Sequence, residues 1–306
     1  MITAIFNKSK PINLVFSILI LVFGFVITQL LSVEIFNSGS FINNVSSLGV
    51  AAVSVLLIDF IVKKNSISEQ NSFVVLFFSI FFFCFWSHQD ILNLVLSNFF
   101  ILLALRKIIS LKTQTNTTQK VFDASLWLCV AALFYFWTIL FFIVLYIGIA
   151  FYSSDYYKNW LIPFVSVFVV FSIVSGYEII FHQRFYEFSD STIVRGFHDI
   201  SSTIDISVIS FFSILILVSL FFLSASVKSK LQKNKMSYVV LLMALLVALI
   251  IMLLAPNKSV SILLFGYFPL SALFSVFFER LSKERIQSLI IYIVFITSII
   301  LCVYSI

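Results

Sequence analysis

The stretch DASLWLCVAALFYFWTILFFIVLYIGIAFY, from Asp123 to Tyr152, decides the topology of this chain. It has 30 residues, and one straight helix of that length would measure about 45 Å against a membrane hydrocarbon core of about 30 Å. The stretch is therefore either one steep crossing or two short helices that turn near Tyr135 to Trp137. The choice matters because it decides on which side of the membrane every later loop lies.

The positions of Lys and Arg favour the two short helices. In that topology 16 of the 19 basic residues lie on one side of the membrane, and the other side holds only Arg184, Arg195 and Lys258. One steep crossing would change the split to 11 against 8. Because Lys and Arg collect in the cytoplasmic loops of multi-pass proteins, the sequence predicts a cytoplasmic N-terminus and a C-terminus outside. The same bias explains the net charge of +6 without a nucleic-acid partner.

Nine further apolar runs predict the rest of the fold. Hydrophobic residues make up 61% of the 306 residues and charged residues only 10%, with a mean hydropathy of +1.14, whereas a soluble domain is about 25% charged. The runs are Ile12 to Val33, Asn43 to Val62, Ser72 to Trp86, Ile91 to Leu105, Leu161 to Phe181, Val208 to Ala225, Tyr238 to Leu254, Val260 to Phe278 and Leu289 to Ser305. With the two short helices they predict an all-α polytopic transmembrane helix bundle of about 11 helices. This bundle forms a single integral membrane domain over residues 1–306.

Side chains suited to chemistry collect on the predicted outer side. All three histidines, His88, His182 and His198, fall there. The segment HQRFYEFSDSTIVRGFHDISSTIDIS, from His182 to Ser207, alternates charged and apolar residues, so it can lie along the membrane surface. Ionisable groups at the edge of the hydrocarbon are functional candidates by default, and Glu178 lies one turn before His182.

Four residues of this region are candidates for binding a substrate. Arg184 and Arg195 are candidate ligands of a lipid phosphate, because the planar guanidinium group fits phosphate oxygens. Glu178 and His182 lie beside Arg184 in the sequence and complete the candidate substrate-binding set.

Three further residues are candidates for catalysis and metal binding. Glu34, which follows the first helix, and His198 are the candidate catalytic bases. Asp199 is the candidate ligand of a divalent metal ion. None of these residues belongs to a motif of diagnostic spacing, so an ordinary solvated outer loop is the alternative interpretation.

Three other polar positions have structural explanations. Asp59 lies four residues before Lys63, which predicts an ion pair on one helix face. Asp123 is expected at the start of the fifth helix, where a carboxylate interacts favourably with the helix dipole. Asn93 and Ser97, one turn apart, are expected to join helices by hydrogen bonds.

Two stretches in the first half of the chain resemble a known family. They are SNFFILLALRKIISLK, residues 97–112, and KVFDASLWLCVAALFYFWTILF, residues 120–141. The opening FNKSKPINLVF and the QNSF before the third helix resemble the same family. This is an uncharacterised multi-pass inner-membrane family of Bacteroidota-type bacteria, so the resemblance implies an inner-membrane location and no particular activity. More loosely, the acid after the first helix and the lipid-facing outer loop resemble multi-pass glycosyltransferases that use polyprenyl-phosphate sugars.

Three functions are compatible with these features. The first hypothesis is a transferase of cell-envelope biogenesis that acts on a lipid-linked phosphate, such as a polyprenyl-phosphate-linked glycan, at the outer leaflet. The second is a non-catalytic subunit or scaffold that packs against a protein partner in a larger envelope complex. The third is a transporter or flippase for uncharged or lipid cargo. Membrane lipids are partners in all three, and the sequence leaves open whether the protein is an enzyme.

Overall fold

The computed structural model describes residues 2–31, 38–86, 91–153, 157–184, 186, 203–226, 235–256, 259–281 and 283–304, and within them every regular element is a helix. A short helix, α1, covers Ile2–Phe6. The longer helices are α2 (Pro11–Leu31), α3 (Ser38–Asn65), α4 (Phe73–Phe81), α5 (Ile91–Ser110), α6 (Thr117–Phe134), α7 (Phe142–Tyr152), α8 (Tyr157–His182), α9 (Thr203–Ser226), α10 (Lys235–Leu254), α11 (Leu264–Glu279) and α12 (Glu284–Tyr304). Tight 3-10 turns extend α4 over Phe82–Phe85 and α5 over Leu111–Thr113, and they precede α7 over Phe136–Phe141 and α11 over Val260–Leu263.

The predicted bundle of eleven helices is confirmed. Within the described residues, eight helices are long and apolar enough to cross a membrane, and the apolar segments Phe73–Phe85 and Phe136–Tyr152 are shorter. With α6 these make eleven. The chain is therefore a multi-pass membrane protein. The inner membrane in particular stays a prediction.

The ambiguous 30-residue stretch folds as two short helices, as predicted. α6 ends at Phe134 because Tyr135 takes an extended conformation, with φ −149° and ψ 106°. Buried Asn159, in the first turn of α8, contacts the start of α6 and the residue just after α7. Its side chain donates to Ser153 Oγ, just after α7, and accepts from Thr118 Oγ1, at the start of α6, at 3.1 Å. The start of α6 and the end of α7 thus lie at the same end of the bundle.

That end of the bundle, called the basic end below, gathers the first described residues and the helix ends at which α3, α5, α7, α9 and α11 finish. The Ser72 amide donates to the Phe6 carbonyl at 3.0 Å, and the Tyr238 hydroxyl at the start of α10 donates to the Ile67 carbonyl. Of the 14 Lys and Arg residues in the part that the structure describes, Arg184 lies at the opposite end. The other 13 lie at the basic end: Lys8, Lys10, Lys63, Lys64, Arg106, Lys107, Lys112, Lys120, Lys158, Lys235, Arg280, Lys283 and Arg285. The structure thus groups the helix ends as the sequence predicts, while the assignment of the basic end to the cytoplasm stays a prediction.

Aromatic side chains fill the centre of the bundle around α4 and α11, whose residues are almost all buried. Phe77 of α4 packs edge-on against Phe274 and Phe278, with ring centroids 4.8 Å and 5.2 Å apart. Tyr267 of α11 stacks on Phe212 of α9 at 5.0 Å. Each such pair adds about 0.5–1.5 kcal/mol beyond the burial of its area. A centre filled in this way is unfavourable for a transporter, which needs a cavity through the bundle.

Candidate functional site

An ion pair closes the end of α8 that lies away from the basic end. Arg184 Nε donates to Glu178 Oε2 at 3.1 Å. The two residues meet because α8 ends at His182 and the next residue, Gln183, has φ +54°, which turns the chain back over the last helical turn. The Glu178 side chain is only 14% exposed, whereas that of Arg184 is 72% exposed. The pair thus presents its cation outward and shields its anion.

Tyr186 lies beside this ion pair. The pKa of its hydroxyl is raised, first by burial and then by the negative charge of Glu178. The hydroxyl therefore stays protonated at neutral pH and keeps its ability to donate a hydrogen bond. Sequence reasoning missed Tyr186 as a site residue, because only the turn after α8 brings it close to Glu178. Its place two residues after Arg184, between Phe185 and Glu187, is the signal that could have indicated it.

His182 lies one turn after Glu178 on α8 and is exposed. Its ring meets the ring of Tyr177 edge-on, with centroids 6.0 Å apart and an interplanar angle of 66°. Hence His182 stands at the same helix end as the ion pair and packs against its own helix.

Of the eight long helices in the described residues, α8 has the smallest buried fraction. The side chains of α8 next to the ion pair are apolar and exposed. Ile173, Ile180 and Phe181 are the clearest examples. In a membrane these side chains lie against lipid. A lipid with a polar headgroup can thus reach Arg184 sideways from the bilayer, without passing through the bundle.

The structure brings three of the seven predicted site residues to this end of α8. These are Glu178, His182 and Arg184. The other four lie outside the described residues and stay predictions: Glu34, Arg195, His198 and Asp199. Among the residues that are described, no group of three or more His, Cys, Asp or Glu side chains could hold a metal ion.

Two of the predicted structural roles are confirmed. Lys63 Nζ donates to Asp59 Oδ2 at 2.6 Å, as the spacing of four residues predicts. The buried Ser97 hydroxyl of α5 donates to the Ala131 carbonyl of α6 at 3.0 Å, so Ser97 does join two helices, whereas Asn93 is exposed and forms no hydrogen bond with any residue that the structure describes. The ion pair and Ser97 are accounted for by packing and need no catalytic role.

The interpretation of Asp123 as a residue at a helix start is wrong. α6 begins at Thr117, so Asp123 lies in its second turn, where interaction with the helix dipole is weaker. Its carboxylate instead accepts from Lys107 Nζ of α5 at 2.6 Å. Asp123 thus forms an ion pair between neighbouring helices, and the sequence alone could not assign this contact.

Comparison with known proteins identifies a family and no activity. A family model described as "Family of unknown function (DUF6427)" matches residues 6–306. No curated protein and no solved structure matches the chain. The match confirms the predicted resemblance to an uncharacterised family. The Bacteroidota origin and the likeness to glycosyltransferases stay predictions.

Proposed function

The chain belongs to the family of unknown function DUF6427, and we propose from its own residues that it is an inner-membrane protein of cell-envelope biogenesis that binds a lipid-linked phosphate at the outer leaflet. The observation that supports this proposal is the ion pair of Glu178 and Arg184 at a lipid-facing helix end. Ionisable groups at the edge of the hydrocarbon are costly, and such groups are commonly functional.

Arg184 is suited to hold the phosphate. Guanidinium has five N–H donors in a planar fork, and the contact with Glu178 uses only the one on Nε. The four donors on the two Nη atoms form no hydrogen bond with any residue that the structure describes, and they match phosphate oxygens, which form strong charge-assisted hydrogen bonds. Glu178 keeps the guanidinium in place, so less side-chain entropy is lost when the phosphate binds.

A transfer reaction follows from this arrangement when the substrate is a sugar linked to a polyprenyl phosphate. Glu34 or His198 takes the proton from an acceptor hydroxyl, whose oxygen forms the new bond to the anomeric carbon of the sugar. The bond between that carbon and the phosphate oxygen breaks, and the polyprenyl phosphate leaves with the electron pair. Arg184 and Arg195 stabilise the negative charge of the leaving phosphate. A divalent metal bound through Asp199 would offset the same charge.

Binding of a polyprenyl phosphate by the purified full chain in lipid nanodiscs tests the first step. The probe is compared with the polyprenyl alcohol, which lacks the phosphate. We expect the wild-type protein to bind the phosphate at least tenfold more tightly than the alcohol. Arg184→Ala should remove that difference, and Arg184→Lys should keep part of it, because Lys supplies the charge without the planar fork.

Lys158→Ala is the matched control, because it removes a cation from the other end of the same helix. It should leave the preference for the phosphate unchanged. Equal binding of phosphate and alcohol by the wild-type protein would contradict the proposal, and so would an unchanged preference in Arg184→Ala. Transfer of a labelled sugar, lost in Glu34→Ala or His198→Ala with phosphate binding intact, tests the catalytic step.

A second candidate function, a non-catalytic subunit, is supported by the surface of α8. Ser172 and Gly176 lie four residues apart on this exposed helix, and nothing lies within 4 Å of a Cβ built at Gly176. Small residues at this spacing allow close approach of another transmembrane helix. This function would be favoured over transfer by two results. A membrane protein should co-purify in a stoichiometric amount with the wild type but not with Gly176→Leu, and an Arg184→Ala strain should grow normally.

A further inference from the structure

Six cations converge at the basic end where α3, α5 and α6 meet. We call this group the cationic cluster: Lys63, Lys64, Arg106, Lys107, Lys112 and Lys120. Two of these charges are offset by carboxylates, since Asp59 pairs with Lys63 and Asp123 pairs with Lys107. Six cations and two anions leave an excess of four positive charges within the cluster.

Two of the remaining cations are held by neutral oxygens. Lys120 Nζ donates to the Ser110 carbonyl at 3.0 Å and to Thr113 Oγ1 at 2.6 Å. Lys112 Nζ donates to the Asn65 carbonyl at 2.5 Å. Such acceptors fix the position of an ammonium group without cancelling its charge. The excess of cations thus gives this part of the basic end a positive electrostatic potential.

The other two cations, Lys64 and Arg106, share the ring of Phe60. Lys64 Nζ lies 5.3 Å and the Arg106 guanidinium 4.5 Å from its centroid. Neither side chain forms a hydrogen bond or an ion pair with any residue that the structure describes. Their N–H donors can thus bind an anion, while Phe60 keeps the two groups near each other.

An apolar stripe leads from the membrane interior to these donors. Val53, Leu56 and Phe60 are 49%, 47% and 41% exposed. Their spacing of three and four residues places them on one face of α3, in line with Lys64 in the last turn. A cationic site at the end of an exposed apolar stripe is complementary to a phospholipid, which has a charged headgroup and apolar acyl chains.

We propose that the cationic cluster binds the headgroup of an anionic phospholipid in the leaflet at the basic end, with an acyl chain along Val53, Leu56 and Phe60. Charge complementarity selects an anionic headgroup, and the stripe selects a lipid over a free phosphate. A bias of Lys and Arg toward one side does not require this arrangement, because cations spread over separate loops satisfy that bias equally well. Basic pockets between transmembrane helices are known to hold anionic headgroups.

Native mass spectrometry of the full chain in detergent, titrated with defined lipids, tests this proposal. The probes are cardiolipin with two phosphates, phosphatidylglycerol with one, and zwitterionic phosphatidylethanolamine. We expect binding to strengthen in the order phosphatidylethanolamine, phosphatidylglycerol, cardiolipin. The triple variant Lys64→Gln, Arg106→Gln and Lys120→Gln should bind cardiolipin roughly 100-fold more weakly, because each cation near an anionic lipid contributes about fivefold.

A matched triple variant separates a site from general surface charge. Lys8→Gln, Lys10→Gln and Lys283→Gln remove three exposed cations from the same end of the bundle, and cardiolipin binding should stay within about threefold of the wild-type value. An equal loss in both triple variants would overturn the proposal, as would equal binding of all three lipids.

Three further measurements separate a lipid from a soluble anion and a binding defect from misfolding. Glycerol phosphate, which carries the charge without acyl chains, should compete only at far higher concentration than the lipid. Equal competition would overturn the lipid assignment. Leu56→Ser, which removes apolar contact and leaves every charge in place, should weaken cardiolipin binding severalfold. The variant pair Lys64→Arg and Lys120→Arg keeps the charges and should retain binding.

Discussion

Replacement of Gly148 by alanine tests whether the chain reverses direction at Tyr135, so that α7 packs against α5. Gly148 lies on α7, and a Cβ at this position would lie 2.7 Å from Ile108 Cγ2 of α5. Ile108 is fully buried and β-branched, so its rotamer is restricted and it cannot easily move away. The contact exists only if α7 runs back toward the basic end, where α5 ends. One straight crossing over the same residues would separate Gly148 from Ile108.

The expected change in the free energy of unfolding combines two opposing effects. Overpacking of a well-filled site costs about 1–3 kcal/mol, and alanine gains about 1 kcal/mol over glycine in a helix interior. We therefore expect Gly148→Ala to lower the free energy of unfolding by up to about 2 kcal/mol. Gly176→Ala is the control, because nothing lies within 4 Å of a Cβ there. It should leave stability unchanged or raise it by up to about 1 kcal/mol.

Reversible unfolding in mixed micelles of mild detergent and dodecyl sulfate measures both variants. A double variant with Ile108→Ala removes the clashing Cγ2 atom, so that Gly148→Ala should then cost nothing further, although Ile108→Ala alone costs about 2–5 kcal/mol. If Gly148→Ala is as stable as Gly176→Ala, or if its cost persists in the Ile108→Ala background, the packing of α7 on α5 is refuted.

Three further predictions concern the basic end. Asn159→Ala should lower the free energy of unfolding by about 1–3 kcal/mol, because it removes the hydrogen bond to Thr118 of α6 and leaves the buried Ser153 hydroxyl beside α7 without its donor; unfolding with Asn159→Asp as comparison measures this. A cysteine placed among residues 228–234 should react with an impermeant reagent from the same side as one at Ser68, and reaction from opposite sides would contradict the topology. Removing the half-exposed pair of Lys107 and Asp123 should cost no more than about 1 kcal/mol, a difference that should shrink when unfolding is repeated at high salt.

The candidate site was only partly predictable. The sequence indicated Glu178, His182 and Arg184 because their charges stand out beside an apolar helix. It could not pair Glu178 with Arg184, since that contact depends on the left-handed conformation of Gln183. In the sequence, the residues of the cationic cluster contributed only to the count of Lys and Arg that was used to predict the topology. Its convergence depends on α3, α5 and α6 ending side by side.

The sequence by itself determined the number of crossings, their order, the turn at Tyr135 and the grouping of helix ends. These properties follow from a fixed hydrocarbon thickness and from the loop bias of Lys and Arg, which act along the chain and need no knowledge of packing. Only the tertiary structure decided which helices are central. α11 is almost wholly buried and α8 is the least buried of the eight long helices found in the described residues, yet both are long apolar runs. Lipid is as apolar as the interior of the bundle, so hydropathy does not distinguish a residue that faces lipid from one that faces another helix.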